Sequence, residues 1–381
     1  MNSIIVPQID HELDSTAPVV PVEFDRPADS PEPPRRRSRG TWFGMAAVAA
    51  LLVGGVGIVD RLDDGPTTPN IPTTPIAPTD TAAEPGSLAA LAQQLDVPAV
   101  WAHGITGAGV NVAMVDTGVA PVDALRDQIV VAIDVTDEAA SATTAGIDTY
   151  GHGTHLAGIV AADDPAAGIR GLAPDAGIVS VKVAGRDGSV KPLDLIAGID
   201  WVVEHADQYD VRVLSLAFNA PTNDATIEGL ILDAVERAWD AGLVVVTAAG
   251  NDGSVGLTAP ASSRSAIAVA SVDATERGFE LTEFSSLGDG LRNPDLATPG
   301  THIQSLRVPG STADVEHPEG YVDETRFLGS GTSQSAAALA ALAALTIDAD
   351  PDLTNDQVRD ALIASATPFG TPEQTGAGIP S

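Results

Sequence analysis

The chain contains no cysteine. That excludes disulfides and thiolate metal sites, and it leaves the compartment open, because exported bacterial enzymes commonly lack the residue. Basic residues are scarce. There are two lysines, Lys182 and Lys191, against 52 acidic residues, for a formal charge of −33. Nucleic-acid binding needs a basic surface and is excluded. Such an acidic surface keeps a protein soluble by self-repulsion, which fits an ordinary exported protein or one adapted to salty surroundings. Aromatics are 4% of the chain while hydrophobic residues reach 44%, so the core is expected to be mainly Ala, Val, Leu and Ile.

Residues 1–40 are rich in Pro, Asp and Glu, show no apolar periodicity, and read as a disordered cytoplasmic segment. They end in the basic run Arg35-Arg36-Arg37-Ser38-Arg39. Thr41 to Val59 then forms a 19-residue apolar stretch without a charge. That length predicts a transmembrane signal anchor over 41–59. The arginines on its N-terminal side place the N-terminus in the cytoplasm and the rest outside. A cleaved signal peptide, giving a secreted protein, is the alternative, although Ile58-Val59-Asp60 is a poor cleavage site. A buried helix of a soluble protein is the third reading. Residues 60–86 form a Pro/Thr-rich linker with Pro-Thr-Thr-Pro twice, extended at roughly 3.1 Å per residue.

From residue 87 the texture changes. Near-continuous apolar runs over Val110–Val115, Ile178–Val183, Val211–Ala217, Leu243–Ala248 and Ile267–Val272 predict strands covered on both faces. Helical spacing links Ile227, Leu230, Ile231, Ala234, Val235 and Ala238, with Gly242 as the stop. Leu195, Ile196, Ile199, Val202 and Val203 predict another helix. The alternation argues for an α/β fold, a doubly wound, mostly parallel sheet flanked by helices. One domain is expected over 87–375, with a tail at 376–381. Ligands of such sheets sit beyond the carboxyl ends of the strands.

Small-residue motifs carry the chemistry. Asp116 ends an apolar strand and precedes Thr117-Gly118. His152 lies in Gly151-His152-Gly153-Thr154-His155 at a helix start. Asn251 follows Ala248-Ala249-Gly250. Ser333 sits in Gly331-Thr332-Ser333 before an Ala/Leu helix running to about Leu345. Singly, these read equally well as a turn aspartate, a structural histidine, a turn asparagine and an N-cap serine. Together, in the order Asp, His, Ser and each at a strand or helix end, they make the parts of a serine hydrolase. His155 reads as structural, since His-x-x-His has no accompanying ligand cluster.

These motifs resemble the subtilisin-like serine peptidases, the subtilase family. Gly104 to Val110, Gly171-Leu172-Ala173-Pro174, Ala270-Ser271-Val272-Asp273, Phe284 to Gly288 and Thr298-Pro299-Gly300 extend the likeness over most of 87–375. The resemblance implies a serine endopeptidase acting on polypeptides. Ser333 would be the nucleophile, His152 the general base, Asp116 its orienting carboxylate and Asn251 an oxyanion donor. Ser215, Leu216 and Ala217 would pair with an extended substrate, with Ala248, Ala249 and Gly250 on the opposite wall. No cofactor and no catalytic metal are expected. Structural calcium is frequent in the family, and no ligand set aligns here. The sequence departs from the family at Gln334-Ser335-Ala336-Ala337-Ala338, where Met-Ala-x-Pro-His is usual, and at Ala217, where many members have Gly. Residues 60–86 are too short for the usual folded inhibitory propeptide. A catalytically silent peptide-binding relative is the competing reading. An esterase is disfavoured because Gly331-Thr332-Ser333-Gln334-Ser335 lacks the second Gly of a nucleophile elbow. Oligomeric state is left open.

Overall fold

The computed structural model describes residues 20–22, 83–140, 145–218, 224–275 and 277–381. The expected span at 41–59 and almost all of the linker lie outside these residues. Among the described residues, no helix is long and apolar enough to cross a membrane.

The chain opens with a short strand, β1 (Val20–Val22), and resumes with helices α1 (Leu88–Gln94) and α2 (Val97–Ala102). Then come β2 (Asn111–Asp116), β3 (Ile129–Asp134), α3 (His152–Ala161), the small β4 (Asp163–Asp164) and β5 (Ile169–Arg170), and β6 (Gly177–Lys182). Next are α4 (Pro192–His205), β7 (Val211–Leu216), α5 (Ala225–Asp240), β8 (Val244–Ala248), β9 (Ile267–Thr275) and β10 (Gly278–Leu281). The chain finishes with β11 (Leu296–Pro299), β12 (Ile303–Leu306), α6 (Thr312–Glu316), β13 (Arg326–Gly329), α7 (Thr332–Ala349), α8 (Asn355–Ser365) and α9 (Pro372–Thr375).

Among the described residues, the main sheet has nine strands in the order β1-β3-β6-β2-β7-β8-β9-β10, with β11 beside β9. Pairing from β3 through β9 is parallel, and so is β9 with β11; β1 and β10 are antiparallel additions. The chain runs from β2 to one side, returns through β6, and crosses to β7 on the other side. The switch point therefore lies between β2 and β7, where crevices form at strand carboxyl ends.

The apolar runs become strands because helices cover both faces. Val112, Ala113, Met114 and Val115 of β2 and all of β8 are buried. Helix α5 starts at Asp224, whose side chain accepts from the Thr226 and Ile227 N–H groups. It buries Ile227, Ile231, Ala234, Val235 and Ala238. Leu230, expected on that face, points outward at 43% exposure. Gly242 at φ +89° ends the turn after it. Helix α7 is buried on nearly every side. It packs on β7, β8, β9, β11, α3 and α8, so alanine is needed to let backbones approach from all directions. It runs to Ala349, one turn past the expected end.

Two features of the chain ends differ from expectation. Val20–Val22 pairs antiparallel with Ala132–Asp134 of β3, so these residues are not disordered. The outer edge of a sheet offers ladder groups that a short extended segment can pair with. At the other end, the Ile379 N–H donates to Thr367 O and the Ala297 N–H to Gly378 O. Residues 376–379 are thus tied into the domain by main-chain hydrogen bonds.

Candidate active site

Asp116 is the last residue of β2 and His152 the first of α3. Asp116 Oδ1 lies 2.8 Å from His152 Nδ1. Because the carboxylate can only accept, Nδ1 carries the proton and Nε2 is left as an acceptor. Asp116 is 1% exposed and His152 4% exposed. Burial works against a charge on His152. The Asp116 charge and hydrogen bond, with the Asp148 charge behind them, outweigh it and raise the pKa above the ordinary histidine value. Gly153 permits this contact: a Cβ there would strike the Gly118 carbonyl and lie 3.0 Å from Asp116 Oδ1.

Asp148 was not picked out by the sequence motifs, yet it joins the two elements that carry this pair. Its Oδ1 accepts from the Thr117 hydroxyl at 2.8 Å, the Tyr150 N–H at 3.1 Å and the Gly151 N–H at 2.6 Å. Its Oδ2 accepts from the Thr154 N–H at 2.8 Å and hydroxyl at 2.6 Å. Thr117 Oγ1 accepts in turn from the Gly153 N–H at 2.9 Å. The turn after β2 and the first turn of α3 are therefore one hydrogen-bonded unit. Burial pushes the Asp148 carboxyl pKa up, against the donors around it and the Lys182 charge. Lys182, fully buried at the end of β6, donates to Thr117 O at 3.0 Å and Ala184 O at 2.7 Å. The available signal was an aspartate just upstream of a helix start, a position where a carboxylate can take up free N–H groups.

Asn251 follows β8 and Ser333 is the second residue of α7. Asn251 Oδ1 accepts from the Thr332 N–H at 2.8 Å and hydroxyl at 2.9 Å. A backbone N–H can only donate, so the oxygen must face Thr332 and the amide nitrogen must face away. Asn251 Nδ2 is buried without a partner. A Cβ at Gly331 would sit 3.1 Å from it, so glycine keeps that side open. The first turn of α7 is held to β11 by a reciprocal pair: Thr298 Oγ1 donates to Ser335 O at 2.8 Å and Ser335 Oγ to Thr298 O at 3.0 Å.

Ser333 is 1% exposed. Its hydroxyl donates to Ala217 O at 2.9 Å, and among the described residues it makes no hydrogen bond to His152. Ser215 and Leu216 lie inside the sheet, paired to β2 and β8. Ala217 extends past the end of β7 and is fully buried. Ala248 ends β8, and Ala249 and Gly250 lead into Asn251, with Gly250 at φ +117°. Gln334 and His155 face one another across Gly329: a Cβ on that glycine would lie 2.6 Å from Gln334 Nε2 and 2.7 Å from His155 Nε2. Burial first, and the neighbouring His152 second, push the His155 pKa down to about 3, so its ring is neutral.

Among the described residues, no group of three or more His, Asp or Glu side chains could hold a metal. The buried Asp134 and Asp148 carboxylates are turned toward N–H and O–H donors, the opposite of what a cation requires.

The chain matches the Subtilase family, Peptidase_S8, over residues 107–378. Serine protease AprX of Bacillus subtilis (strain 168) is 36% identical over 274 residues, covering 68% of this chain and 61% of the relative. Minor extracellular protease Epr of the same organism is 34% identical over 291 residues, covering 75% of this chain and 40% of the relative. The chain thus spans about three fifths of one relative and two fifths of the other. Among solved structures, Sphericase matches with a TM-score of 0.61 at 26% identity, covering 72% of this chain and 91% of that one. The parallel sheet, the strand-end placement of Asp116 and Asn251, the helix-start placement of His152 and Ser333, and the matched span all agree. The chain belongs to the subtilase family.

Proposed function

We propose that the chain is a serine endopeptidase working outside the cytoplasm on polypeptide substrates. The observation that carries this is the buried Asp116–His152 pair opposite a buried, unpartnered Asn251 amide at the start of the Ser333 helix. Ser333 Oγ attacks the substrate carbonyl. His152 Nε2 takes the hydroxyl proton and later delivers it to the leaving amine. Asp116 holds the ring tautomer and stabilises its cation. Asn251 Nδ2 and the Ser333 N–H hold the oxyanion, helped by the positive end of α7. The extended substrate adds main-chain hydrogen bonds beyond β7, between Ala217 and the Ala248–Gly250 wall.

Covalent labelling with a fluorophosphonate probe tests this. The full chain should label and Ser333→Ala should not. A correctly folded wild type that resists the probe as the variant does would turn the chain into a silent peptide binder.

The location rests on Thr41–Val59, whose length and flanking charges suit export, and on the name of the Epr relative as an extracellular protease. An anchored single-pass form and a form released after cleavage both follow from that segment. The β1–β3 pairing constrains them. A chain spanning the membrane at 41–59 holds Val20–Val22 on the far side from β3, so the strand pairs only in molecules that have not been inserted. A cysteine pair at Pro21 and Ile133, which are directly opposed, tests this in whole cells. Exported molecules should form no such disulfide, and full cross-linking of the exported domain would overturn the spanning topology.

A further inference from the structure

We propose that Ala217 and Phe218 form a substrate-displaced gate that makes this enzyme select extended polypeptides over small acyl substrates. The proposal rests on Ser333 as the nucleophile. It starts from where the Ser333 proton points. An attacking hydroxyl must present that proton to His152 Nε2. Here it is donated to Ala217 O at 2.9 Å, so the proton is engaged by a main-chain carbonyl rather than by the base.

The neighbouring side chain closes the same approach. Phe218 is fully buried, and its ring centroid lies 6.3 Å from that of His152 at an interplanar angle of 30°. A phenylalanine beyond the last residue of a strand, at the mouth of a crevice, would ordinarily be partly exposed. Here it is buried, with its ring beside that of His152. Ser333, His152 and the Asn251 amide are each nearly inaccessible. In this arrangement the reacting groups are covered, and the proposed gate is closed.

The gate sits on the segment that the substrate must pair with. An extended chain adding to the end of β7 competes for the main-chain groups of Ala217. That pairing draws Ala217 O away from Ser333 and carries Phe218 off His152, and the freed hydroxyl swings to Nε2. Substrates too short to pair beyond Ser333 have no such interaction and react only with the fraction of molecules already open. Apparent reactivity is then reduced by that fraction. No bond is made or broken in the gating step; one hydrogen bond is exchanged for another.

The test compares a small fluorophosphonate, which needs only Ser333 and the oxyanion site, with a tetrapeptide anilide that occupies the strand. Wild type, Phe218→Ala, Phe218→Leu and Ser333→Ala are measured as full chains, with circular dichroism to confirm folding. The expected result is a small-probe labelling rate raised about tenfold in Phe218→Ala, if wild type is open roughly a tenth of the time. Phe218→Leu should be intermediate, and kcat/KM for the tetrapeptide should rise less, so the long-to-short selectivity falls. If Phe218→Ala fails to fold, Phe218→Leu carries the test, since it keeps most of the apolar volume. A Phe218 that merely walls a substrate pocket would instead lower tetrapeptide turnover and leave labelling unchanged, and that outcome overturns the gate. Absence of labelling in every variant, as in Ser333→Ala, overturns the nucleophile assignment, and the gate with it.

Discussion

The two halves of the site are held in different ways. On the Asp116–His152 side, every main element is tied down. Asp148 joins the β2 turn to the α3 turn, Lys182 pins the Thr117 carbonyl, and Gly153 lets the two approach. On the Ser333 side, the helix start is fixed by the Asn251–Thr332 and Thr298–Ser335 hydrogen bonds. The Ser333 hydroxyl itself is turned to Ala217. His152 is thus fixed in place, whereas the Ser333 side chain is held by a single hydrogen bond. A packed network has a single arrangement, while a side chain held by one hydrogen bond can exchange it.

The largest way to break this comparison is Ser333→Ala. Turnover should fall by about 10⁶, read as kcat on a peptide anilide, while the melting temperature stays near wild type. Asn251→Ala should cost ~10²–10³ in kcat with little change in KM. Both magnitudes are carried over from a subtilisin rather than obtained from this chain. Asn251→Ala also leaves the Thr332 N–H without its acceptor, so a parallel thermal melt separates lost oxyanion binding from a shifted helix start.

Asp148→Asn sharpens the contrast by loosening the tied half alone. An amide cannot accept from every donor that the carboxylate now serves, so the His152 ring should move. A displacement of about 1 Å costs about 10²-fold in kcat. The same variant carries a pH signature. His152 must be neutral to accept the Ser333 proton, so kcat/KM falls as pH drops through its pKa. In the wild type that acid limb should lie above the ordinary histidine value, because the carboxylates raise it. Removing the Asp148 charge removes one of the raising causes, so the limb should move to lower pH. An acid limb that stays in place would mean that Asp148 only supports the loop.

Much of the fold was legible from the order of residues. The runs at 110–115, 178–183 and 243–248 became strands within a residue or two at each end, because burial on both faces leaves an unbroken apolar signature. Asp116, His152, Asn251 and Ser333 fell at element ends as their small neighbours suggested. Asp148 stayed hidden because its partners Thr117 and Thr154 look like any other threonines until β2 and α3 meet. The Ala217–Ser333 contact spans 116 residues of chain, and no local pattern encodes it. Leu230 was misplaced because a helical period cannot tell which edge of an apolar stripe faces the core.

By itself, then, the sequence determined the alternation of strand and helix, the family, and the candidate chemical groups. Those depend on composition and short-range spacing, which survive without coordinates. Only the tertiary structure decided that Val20–Val22 can close the β3 edge, that one buried carboxylate joins the two elements carrying Asp116 and His152, and that a phenylalanine ring sits beside His152. Each of these is a contact between distant segments, and its energy exists only once the sheet has brought them together.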